Sequence, residues 1–588
     1  MKRFLLYTLA TITGIFLASI LLFFVMVGSL SVMIASGDKG IVVKNNSILT
    51  LNTSMVITDR TNDDPLAGFN FMDLSFTPSI GLNDILKSLE LAANDPKVKG
   101  IFIEVGPSSN GWATTREVRN ALDKFRRESG KFIIAYSDKV VDQKSYYLST
   151  VADKIYINPS TNLEFKGISG QVIFYKNALD KLGVEVQVLR HGKFKGAVEP
   201  YMLDSMSEEN REQIKEYTGS IWNTVLEDIS LSRDIPVADL QNYADNLVAY
   251  LAKGAFDNKL VDSLMYRDEL EAILKEMTGI SESKDLVTIG FPDYSKTLTG
   301  TKKVSVKDRI SVIYAQGDIV SSINENEIEG ERFAELIRKE RMDSTVKAIV
   351  LRVNSPGGEA TSADIIWREV ELASRIKPVI VSMGDYAASG GYYISAAATK
   401  IFAQPVTITG SIGVFGLVPN AESLMKDKLG INTETVSTNR SSDFPSLFKP
   451  LTPYESSVMQ QSIENVYDNF VDRVSSGRSM SYAEVDSIGQ GRVWSGIDAR
   501  EIGLVDEIGG LNDAITSAAS LAGLSEYFIK ELPEKEDTYT RIMKQLGGEV
   551  RLNILRKEFG VSYNLYNEFN KLKNYIGVQV RIPYFIEL

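Results

Sequence analysis

The chain has 588 residues and a formal net charge of −12, from 64 basic and 76 acidic side chains. A chain of this length needs more than one hydrophobic core, and its acidic balance disfavours nucleic acid as a partner. Cysteine is absent and His191 is the single histidine, which excludes thiol nucleophiles, disulfides and zinc sites built from cysteine or histidine clusters.

The first segment, residues 1–37, is predicted to be a membrane anchor. Lys2 and Arg3 precede an uncharged stretch from Phe4 to Gly37, and about 20 apolar residues suffice for a helix to cross a bilayer. The apolar region of a cleaved secretory signal is shorter, about 7 to 15 residues, so we expect an uncleaved single-pass helix. Basic residues before the helix predict a cytoplasmic N-terminus. The remaining domains would then lie outside the cytoplasm.

The rest of the chain contains one unit twice. Residues 95–105 resemble 343–353 at an offset of 248 residues, and 131–136 resemble 377–382 at an offset of 246. Further along, residues 259–262 resemble 503–506 at an offset of 244. Chance similarity does not keep its order and spacing over such a distance. The pattern therefore indicates a tandem duplication.

Each copy is predicted to be an α/β domain. Short runs rich in valine and isoleucine, such as 348–353, alternate with amphipathic segments of helix length, such as 330–341 and 362–375. This alternation is the pattern of βα units. The runs are almost continuously apolar, as strands covered on both faces must be.

These patterns also predict the domain bounds. We expect a first repeat at 40–280, a linker at 281–306 that is dense in small and polar residues, and a second repeat at 307–525. A C-terminal extension at 526–588 follows. It ends in a predicted strand at 578–582, for which the sequence indicates no role.

Two glycine-rich turns of the second copy are candidate sites for chemistry. The turn at 354–358 and the turn at 387–391 each follow a predicted strand and precede a predicted helix. Glycines there let backbone N–H groups approach an oxyanion, and Ser389 has the position of a nucleophile. Ligands bind at the carboxyl ends of strands in α/β sheets. Taken singly, each turn could instead serve tight packing, and Ser389 could be a helix cap.

A nucleophilic serine needs a general base. Histidine titrates in the useful range, but a single histidine in a basic stretch, as at His191, is more often a solvated loop residue. A lysine can take the role if burial lowers its pKa. Because the chain has many lysines, the residues alone do not identify which one.

Four motifs resemble those of the bacterial signal peptide peptidase A family, in its long, membrane-anchored form with two repeats. They occur in the order of the family, at 192–200, 354–358, 383–393 and 409–413. The similarity extends from the anchor to about Asp506. It implies a serine protease with a Ser/Lys dyad on a duplicated α/β fold of the Clp-protease/crotonase type.

The resemblance also implies a role for individual residues. Ser389 is the expected nucleophile and Lys195, in the motif at 192–200, the expected general base. Gly358 and Gly390 would supply the N–H groups of an oxyanion hole, and Ser411 would orient the lysine. No metal or cofactor is implied.

The family further implies substrates, assembly and location. Its substrates are apolar signal peptides left in the membrane after secretion, and its long form assembles as a homotetramer. The expected location is the inner membrane of a bacterium, with a single pass and the enzyme domains on the periplasmic side.

The duplication divides these residues between the two copies. Gln143 occupies the first-copy position that is equivalent to Ser389. The second-copy counterparts of Lys195 fall at 439–441, which contain no lysine. Each copy keeps what the other lacks, so we expect one composite site where the copies meet.

Two functions of other classes stay open at this point. A crotonase-like enzyme acting on acyl-CoA also uses paired N–H donors, and it would keep its activity after Ser389→Ala. A catalytically silent membrane scaffold is the other alternative, which the intact nucleophile turn disfavours.

Overall fold

The computed structural model describes scattered positions between 3 and 21 and residues 41–61, 69–70, 75–76, 78–297, 306–322, 327–534 and 577–582. The predicted membrane anchor, 1–37, lies largely outside the described residues. Among the residues that are described, no helix is both long enough and apolar enough to cross a bilayer.

The first repeat alternates strands and helices. Its strands are β1 (Ser47–Asn52), β2 (Val56–Thr58), β3 (Phe69–Asn70), β4 (Ser75–Phe76), β5 (Ser79–Gly81), β6 (Val98–Glu104), β7 (Phe132–Ser137), β8 (Val141–Asp142), β9 (Lys154–Ile157), β10 (Leu163–Glu164), β11 (Glu185–His191), β12 (Ser263–Leu264) and β13 (Thr288–Gly290). Its helices are α1 (Leu82–Asn94), α2 (Trp112–Ser129), α3 (Gln143–Ser149), α4 (Lys176–Leu182), α5 (Glu199–Met202), α6 (Glu208–Arg233), α7 (Val237–Asp245), α8 (Ala252–Asp257), α9 (Arg267–Thr278) and α10 (Phe291–Ser295). Within the described residues, six of these strands form a parallel sheet in the order β12-β9-β7-β6-β1-β13.

The second repeat repeats this architecture. Its strands, with those of the C-terminal extension, are β14 (Arg309–Gln316), β15 (Ile319–Val320), β16 (Ile328–Glu329), β17 (Val346–Ser355), β18 (Gly357–Glu359), β19 (Val379–Ala388), β20 (Lys400–Ala403), β21 (Ile408–Gly410), β22 (Val414–Asn420), β23 (Val493–Ser495), β24 (Glu507–Ile508), β25 (Phe528–Leu532) and β26 (Gly577–Arg581). Its helices are α11 (Gly330–Met342), α12 (Ala360–Ser374), α13 (Gly390–Ser395), α14 (Pro453–Arg478), α15 (Tyr482–Ile488), α16 (Gly496–Glu501) and α17 (Leu511–Leu521). Its main sheet has the path β23-β21-β19-β17-β14-β25, and β20 and β24 extend it beside β19.

The central strands of this sheet are buried on both faces. In β17, Ile349, Val350 and Leu351 are consecutive and nearly inaccessible to solvent. Side chains of successive strand residues point to opposite faces, so helices or strands must cover both. One face packs in a hydrophobic cluster shared with the first repeat, which contains both Val350 and Ile103. The two repeats therefore share a core.

A third sheet joins the two repeats, in the order β11-β22-β26-β18-β15-β16. In it, β11 of the first repeat pairs antiparallel with β22 of the second, from Glu185 opposite Asn420 to His191 opposite Val414. This pairing brings the loop after β11, which carries Lys195, next to the loop before β22.

Segments outside the predicted repeats take part in the sheets. Within the interval predicted as a linker, β13 pairs with β1 at the edge of the first sheet. Within the predicted C-terminal extension, β25 pairs with β14, and β26 pairs with both β18 and β22. The strand predicted at 578–582 corresponds to β26.

Candidate active site

Ser389 lies in the sharp turn between β19 and α13. Its φ of 54° and ψ of −113° are unusual for a residue with a side chain. The backbone N–H of Ser389 donates to the Gly410 carbonyl at 2.8 Å, and its carbonyl accepts from the Tyr393 N–H at 2.8 Å. Its hydroxyl makes no helix-capping hydrogen bond. The turn therefore holds a buried hydroxyl at the carboxyl end of β19.

Lys195 reaches this hydroxyl from the first repeat. Its Nζ lies 2.8 Å from Oγ of Ser389. The same Nζ lies 3.0 Å from Oγ of Ser411 and 3.1 Å from the Ser411 carbonyl oxygen. The lysine side chain is fully buried, and this burial lowers the pKa of the Lys195 amine well below its ordinary value because it disfavours the charged form.

The lysine loop is held by contacts with both repeats. The carbonyl of Phe194 accepts from Nε2 of Gln213 on α6 at 2.8 Å. The N–H of Phe194 donates to the carbonyl of Gln490 in the second repeat at 2.9 Å. Gly491 packs against Lys195 so closely that a Cβ there would lie 2.8 Å from the Lys195 Cβ. These contacts fix the direction from which the lysine enters the site.

Sequence reasoning missed the buried carboxylate of Glu199. This side chain is fully buried and accepts from Nδ2 of Asn210 at 2.8 Å and from the hydroxyl of Ser207. It ties the end of the lysine loop to the start of α6. Its place within the motif at 192–200 is the signal that could have indicated it, whereas Asn210 lies outside every motif.

Ser411 lies in the loop between β21 and β22, next to the Lys195 amine. Its φ is 52°, and its N–H donates to the Arg492 carbonyl at 2.7 Å. Its hydroxyl donates to the Gly491 carbonyl at 3.2 Å. Both oxygens of Ser411 thus face the Lys195 amine.

Three glycines form a niche beside Ser389. A Cβ at Gly357 would lie 2.1 Å from the Val580 oxygen and 2.7 Å from the Gly390 nitrogen. A Cβ at Gly358 would lie 2.0 Å from the Ile319 oxygen. The φ of Gly357 is 102°, which favours glycine. We call Gly357, Gly358 and Gly390 the glycine niche, and any side chain there would fill it.

His191 is engaged away from Ser389. Its Nδ1 contacts the Glu464 carboxylate, and its ring stacks on Tyr467 with ring centroids 3.6 Å apart. In the first repeat, Gln143 occupies the turn equivalent to that of Ser389 and donates to the Gly167 carbonyl at 2.9 Å. Within the described part of the chain, no group of three or more acidic or histidine side chains is arranged to hold a metal ion.

The fold and the site together define a class of protein. Serine hydrolases combine a hydroxyl on a sharp strand-to-helix turn, a base within hydrogen-bond reach and backbone N–H groups at a nearby turn. Lysine replaces histidine as the base in some of them. The arrangement around Ser389 and Lys195 is typical of that class.

Sequence comparison gives the family. A family model described as peptidase family S49 matches residues 125–281 and 371–525. The starts of the two matches are 246 residues apart, which equals the offset between 131–136 and 377–382. "Protease 4" of Haemophilus influenzae is 34% identical over 83% of this chain and 81% of its own. "Protease 4" of Salmonella typhi is 34% identical over 90% and 87% of the two chains.

A plant relative is similarly close. "Serine protease SPPA, chloroplastic" of Arabidopsis thaliana is 32% identical over 92% of this chain and 78% of its own. The chain belongs to peptidase family S49, with two repeats, and it is a serine protease. This assignment favours a peptidase over the acyl-CoA enzyme and the silent scaffold.

Two solved structures overlap part of the chain. A ClpP1 mutant from Listeria monocytogenes has a TM-score of 0.24 and 17% identity, and the match covers 35% of this chain and 94% of that one. A mutant of the membrane-bound stomatin-specific protease 1510-N has a TM-score of 0.26 and 14% identity, with 39% and 98% covered.

Proposed function

We propose that this serine protease cleaves peptide bonds with Ser389 as the nucleophile and Lys195 as the general base. The distance of 2.8 Å between Nζ of Lys195 and Oγ of Ser389 is the observation that carries the proposal. It is within the reach that a general base requires. The two residues are 194 positions apart in sequence and come from different repeats, so the site is composite.

Burial favours a neutral amine at Lys195, and its hydrogen bonds accommodate one. A neutral amine has two N–H donors and one lone pair. The Ser411 carbonyl can only accept, and the Ser411 hydroxyl can accept because its own proton is directed to the Gly491 carbonyl. Both N–H groups are then used, and the lone pair faces the Ser389 hydroxyl. Ser411 thereby orients the base.

The reaction is an acyl transfer. Lys195 takes the hydroxyl proton while Ser389 attacks the substrate carbonyl, and the N–H groups of Gly358 and Gly390 stabilise the oxyanion. The protonated lysine then gives its proton to the leaving amine. Water, activated by the same lysine, hydrolyses the acyl-enzyme. In this reaction Lys195 accepts and donates each proton that is transferred.

A serine-reactive phosphonate tests the nucleophile. We expect covalent labelling of the wild type, mapped by mass spectrometry to Ser389, and neither labelling nor peptidase activity in Ser389→Ala. Ser395→Ala is the matched control, because Ser395 is also buried but its hydroxyl donates to the Gly391 carbonyl at 2.7 Å. Equal labelling of the Ser389→Ala variant would reject the assignment.

We further propose that the substrates are apolar signal peptides and that residues 1–37 anchor the enzyme in the inner membrane. The four motifs and the uncharged stretch after Arg3 support this. The fold would be of the Clp-protease/crotonase type, the assembly a homotetramer and the enzyme domains periplasmic. An anchored site would meet peptides that remain in the bilayer after secretion.

The glycine niche gives a prediction for catalysis. Gly357→Ala places a methyl group 2.7 Å from the Gly390 nitrogen, so we expect kcat to fall by about a hundredfold to a thousandfold. Gly130→Ala is the control, since Gly130 has a φ of 66° but an added Cβ would meet nothing within 4 Å. Steady-state kinetics and melting curves of both variants check this. A similar kcat in the two variants would contradict it.

The buried lysine gives a prediction for stability. Lys195→Met should abolish activity but raise the free energy of unfolding at neutral pH, because an unfolded lysine binds a proton that the buried amine resists. The wild type gains stability as pH rises from the lowered pKa of Lys195 towards the ordinary value of 10.5. The advantage of the methionine variant should therefore shrink with rising pH. Urea unfolding across a pH series would reveal this, and a pH-independent difference would argue against a neutral lysine.

A further inference from the structure

The single histidine of the chain lies at the start of the lysine loop. His191 is the last residue of β11, opposite Val414 of β22, and it precedes Lys195 by four positions. The far end of the loop is tied to α6 of the first repeat, where Nδ2 of Asn210 donates to Glu199 at 2.8 Å. The start of the loop is held by the second repeat instead.

Two contacts join the His191 ring to α14 of the second repeat. Its Nδ1 contacts the Glu464 carboxylate, and an ionised carboxylate can only accept, so Nδ1 is the donor. One face of the ring lies on Tyr467, with an angle of 20° between the ring planes. We call His191, Glu464 and Tyr467 the histidine clamp.

Glu464 is itself fixed beside the backbone that leads to Lys195. Gln460, about one turn earlier on α14, donates from Nε2 to Oε1 of Glu464 at 2.6 Å and to the Arg190 carbonyl at 3.3 Å. Nη1 of Arg190 in turn lies 3.4 Å from the Lys195 carbonyl oxygen. The carboxylate that holds the His191 ring therefore has a defined position relative to the loop.

Tyr467 is linked to the lysine loop through Gln490. The Tyr467 hydroxyl accepts from the Gln490 N–H at 3.3 Å, and the Gln490 carbonyl accepts from the Phe194 N–H at 2.9 Å. Gly192 packs so closely on Gln490 that a Cβ there would lie 2.4 Å from the Gln490 carbonyl oxygen. A shift of the Tyr467 ring would thus move the residue before Lys195.

We infer that His191 is a positioning residue, which holds the loop so that Nζ of Lys195 meets Oγ of Ser389. The inference rests on the proposed function, in which Lys195 is the general base. His191 acts through the loop and transfers no proton itself. A misplacement of about 1 Å at a reacting group can cost about a hundredfold in rate. Loss of the clamp should therefore lower kcat, whereas KM should stay nearly the same because the clamp contacts the loop and not the glycine niche.

Two substitutions at position 191 separate the hydrogen bond from the stacked ring. His191→Phe keeps a ring on Tyr467 but removes the donor to Glu464. For a fluorogenic apolar peptide, we expect its kcat to fall by about tenfold to a hundredfold, with KM within a factor of about two. His191→Asn restores an N–H donor near the position of Nδ1, so kcat should recover to within about threefold of the wild type. A normal kcat in folded His191→Phe overturns the inference, and so does an equal loss in both variants.

Glu464→Ala removes the other end of the hydrogen bond. The Glu464 side chain is 42% exposed, so this variant tests the clamp even if His191→Phe does not fold. Its kcat should match that of His191→Phe, and the double variant should lose no more than the single ones, because the two side chains form one contact. Asp472→Ala, an exposed carboxylate about two turns further along α14, is the matched control and should leave kcat unchanged. Additive losses, or an equal loss in the control, would contradict the inference.

The pH profile gives a readout that a loss of stability alone would not move. The pKa of Lys195 is lowered by burial, and the groups at its amine are the hydroxyls of Ser389 and Ser411 and the Ser411 carbonyl. A loop freed from the clamp lets water reach the amine, so this pKa rises towards its ordinary value. The rate of phosphonate attachment to Ser389 should then rise about one pH unit higher in His191→Phe than in the wild type. An unchanged profile would overturn the inference.

A folded Lys195→Ala variant separates this inference from the proposed function. If that variant keeps its activity, the proposed base is wrong and the positioning role falls with it. If it is inactive while His191→Phe has the kcat and the pH profile of the wild type, the positioning role alone is wrong.

Discussion

Alanine in place of either Ser389 or Lys195 is expected to lower kcat/KM by about a thousandfold to a millionfold. The two side chains act on the same proton, so the double variant should be no worse than the more damaged single one. Residues that work as a unit show such non-additive losses. Kinetics of the three variants, each checked for folding by circular dichroism, would measure this.

Lys193→Ala is the control for the lysine. Lys193 is exposed and lies two positions before Lys195, and its Nζ stands 5.0 Å from the centre of the Phe194 ring. Its loss should change kcat/KM by less than about threefold. Additive losses in the double variant, or near-normal activity in a folded Lys195→Ala, would refute the dyad.

Arg352→Met is expected to cost about 3 to 5 kcal/mol of stability. Arg352 on β17 is fully buried and ion-paired with Asp59 and Glu117 of the first repeat, at 2.7 Å each. Removing the guanidinium leaves two buried carboxylates without their cation. Because this cluster joins the two repeats beside the site, activity should fall together with stability.

Two further variants make the Arg352 prediction specific. Arg368→Met removes a largely exposed partner of Glu371 and should cost less than about 1 kcal/mol. Adding Asp59→Asn and Glu117→Gln to Arg352→Met should recover part of the loss, since no buried charge then remains unpaired. Chemical denaturation of the set would test this, and equal losses for Arg352→Met and Arg368→Met would contradict it.

Local pattern predicts much of the second repeat. The helix expected at 330–341 is α11, Gly330–Met342, and the strand expected at 348–353 is β17, Val346–Ser355. The helix has apolar residues at helical spacing, and the strand is a short apolar run rich in β-branched residues. The nucleophile turn was predictable for the same reason, because it lies between two such elements.

Other features depend on contacts between distant residues. β13 has only three residues, too few to show the alternation of apolar and polar side chains that predicts a strand. The polar composition around it predicts a linker instead. The role of Lys195 is predicted by the family motif and not by any local pattern of the sequence. The pairing of β11 with β22, which brings Lys195 to the second repeat, cannot be predicted from the sequence of either strand. The partnership of Arg352 with Asp59 spans 293 positions and has no local signal.

In the proposed mechanism, an amine from the first repeat activates a hydroxyl from the second. The most direct test is the rate of phosphonate attachment to Ser389 as a function of pH, in the wild type and in Lys195→Arg. An arginine keeps the positive charge but does not lose its proton. The rate should rise with pH through the lowered pKa of Lys195 in the wild type and be about a thousandfold slower in the variant. Equal rates and equal pH profiles in two folded proteins would contradict the account.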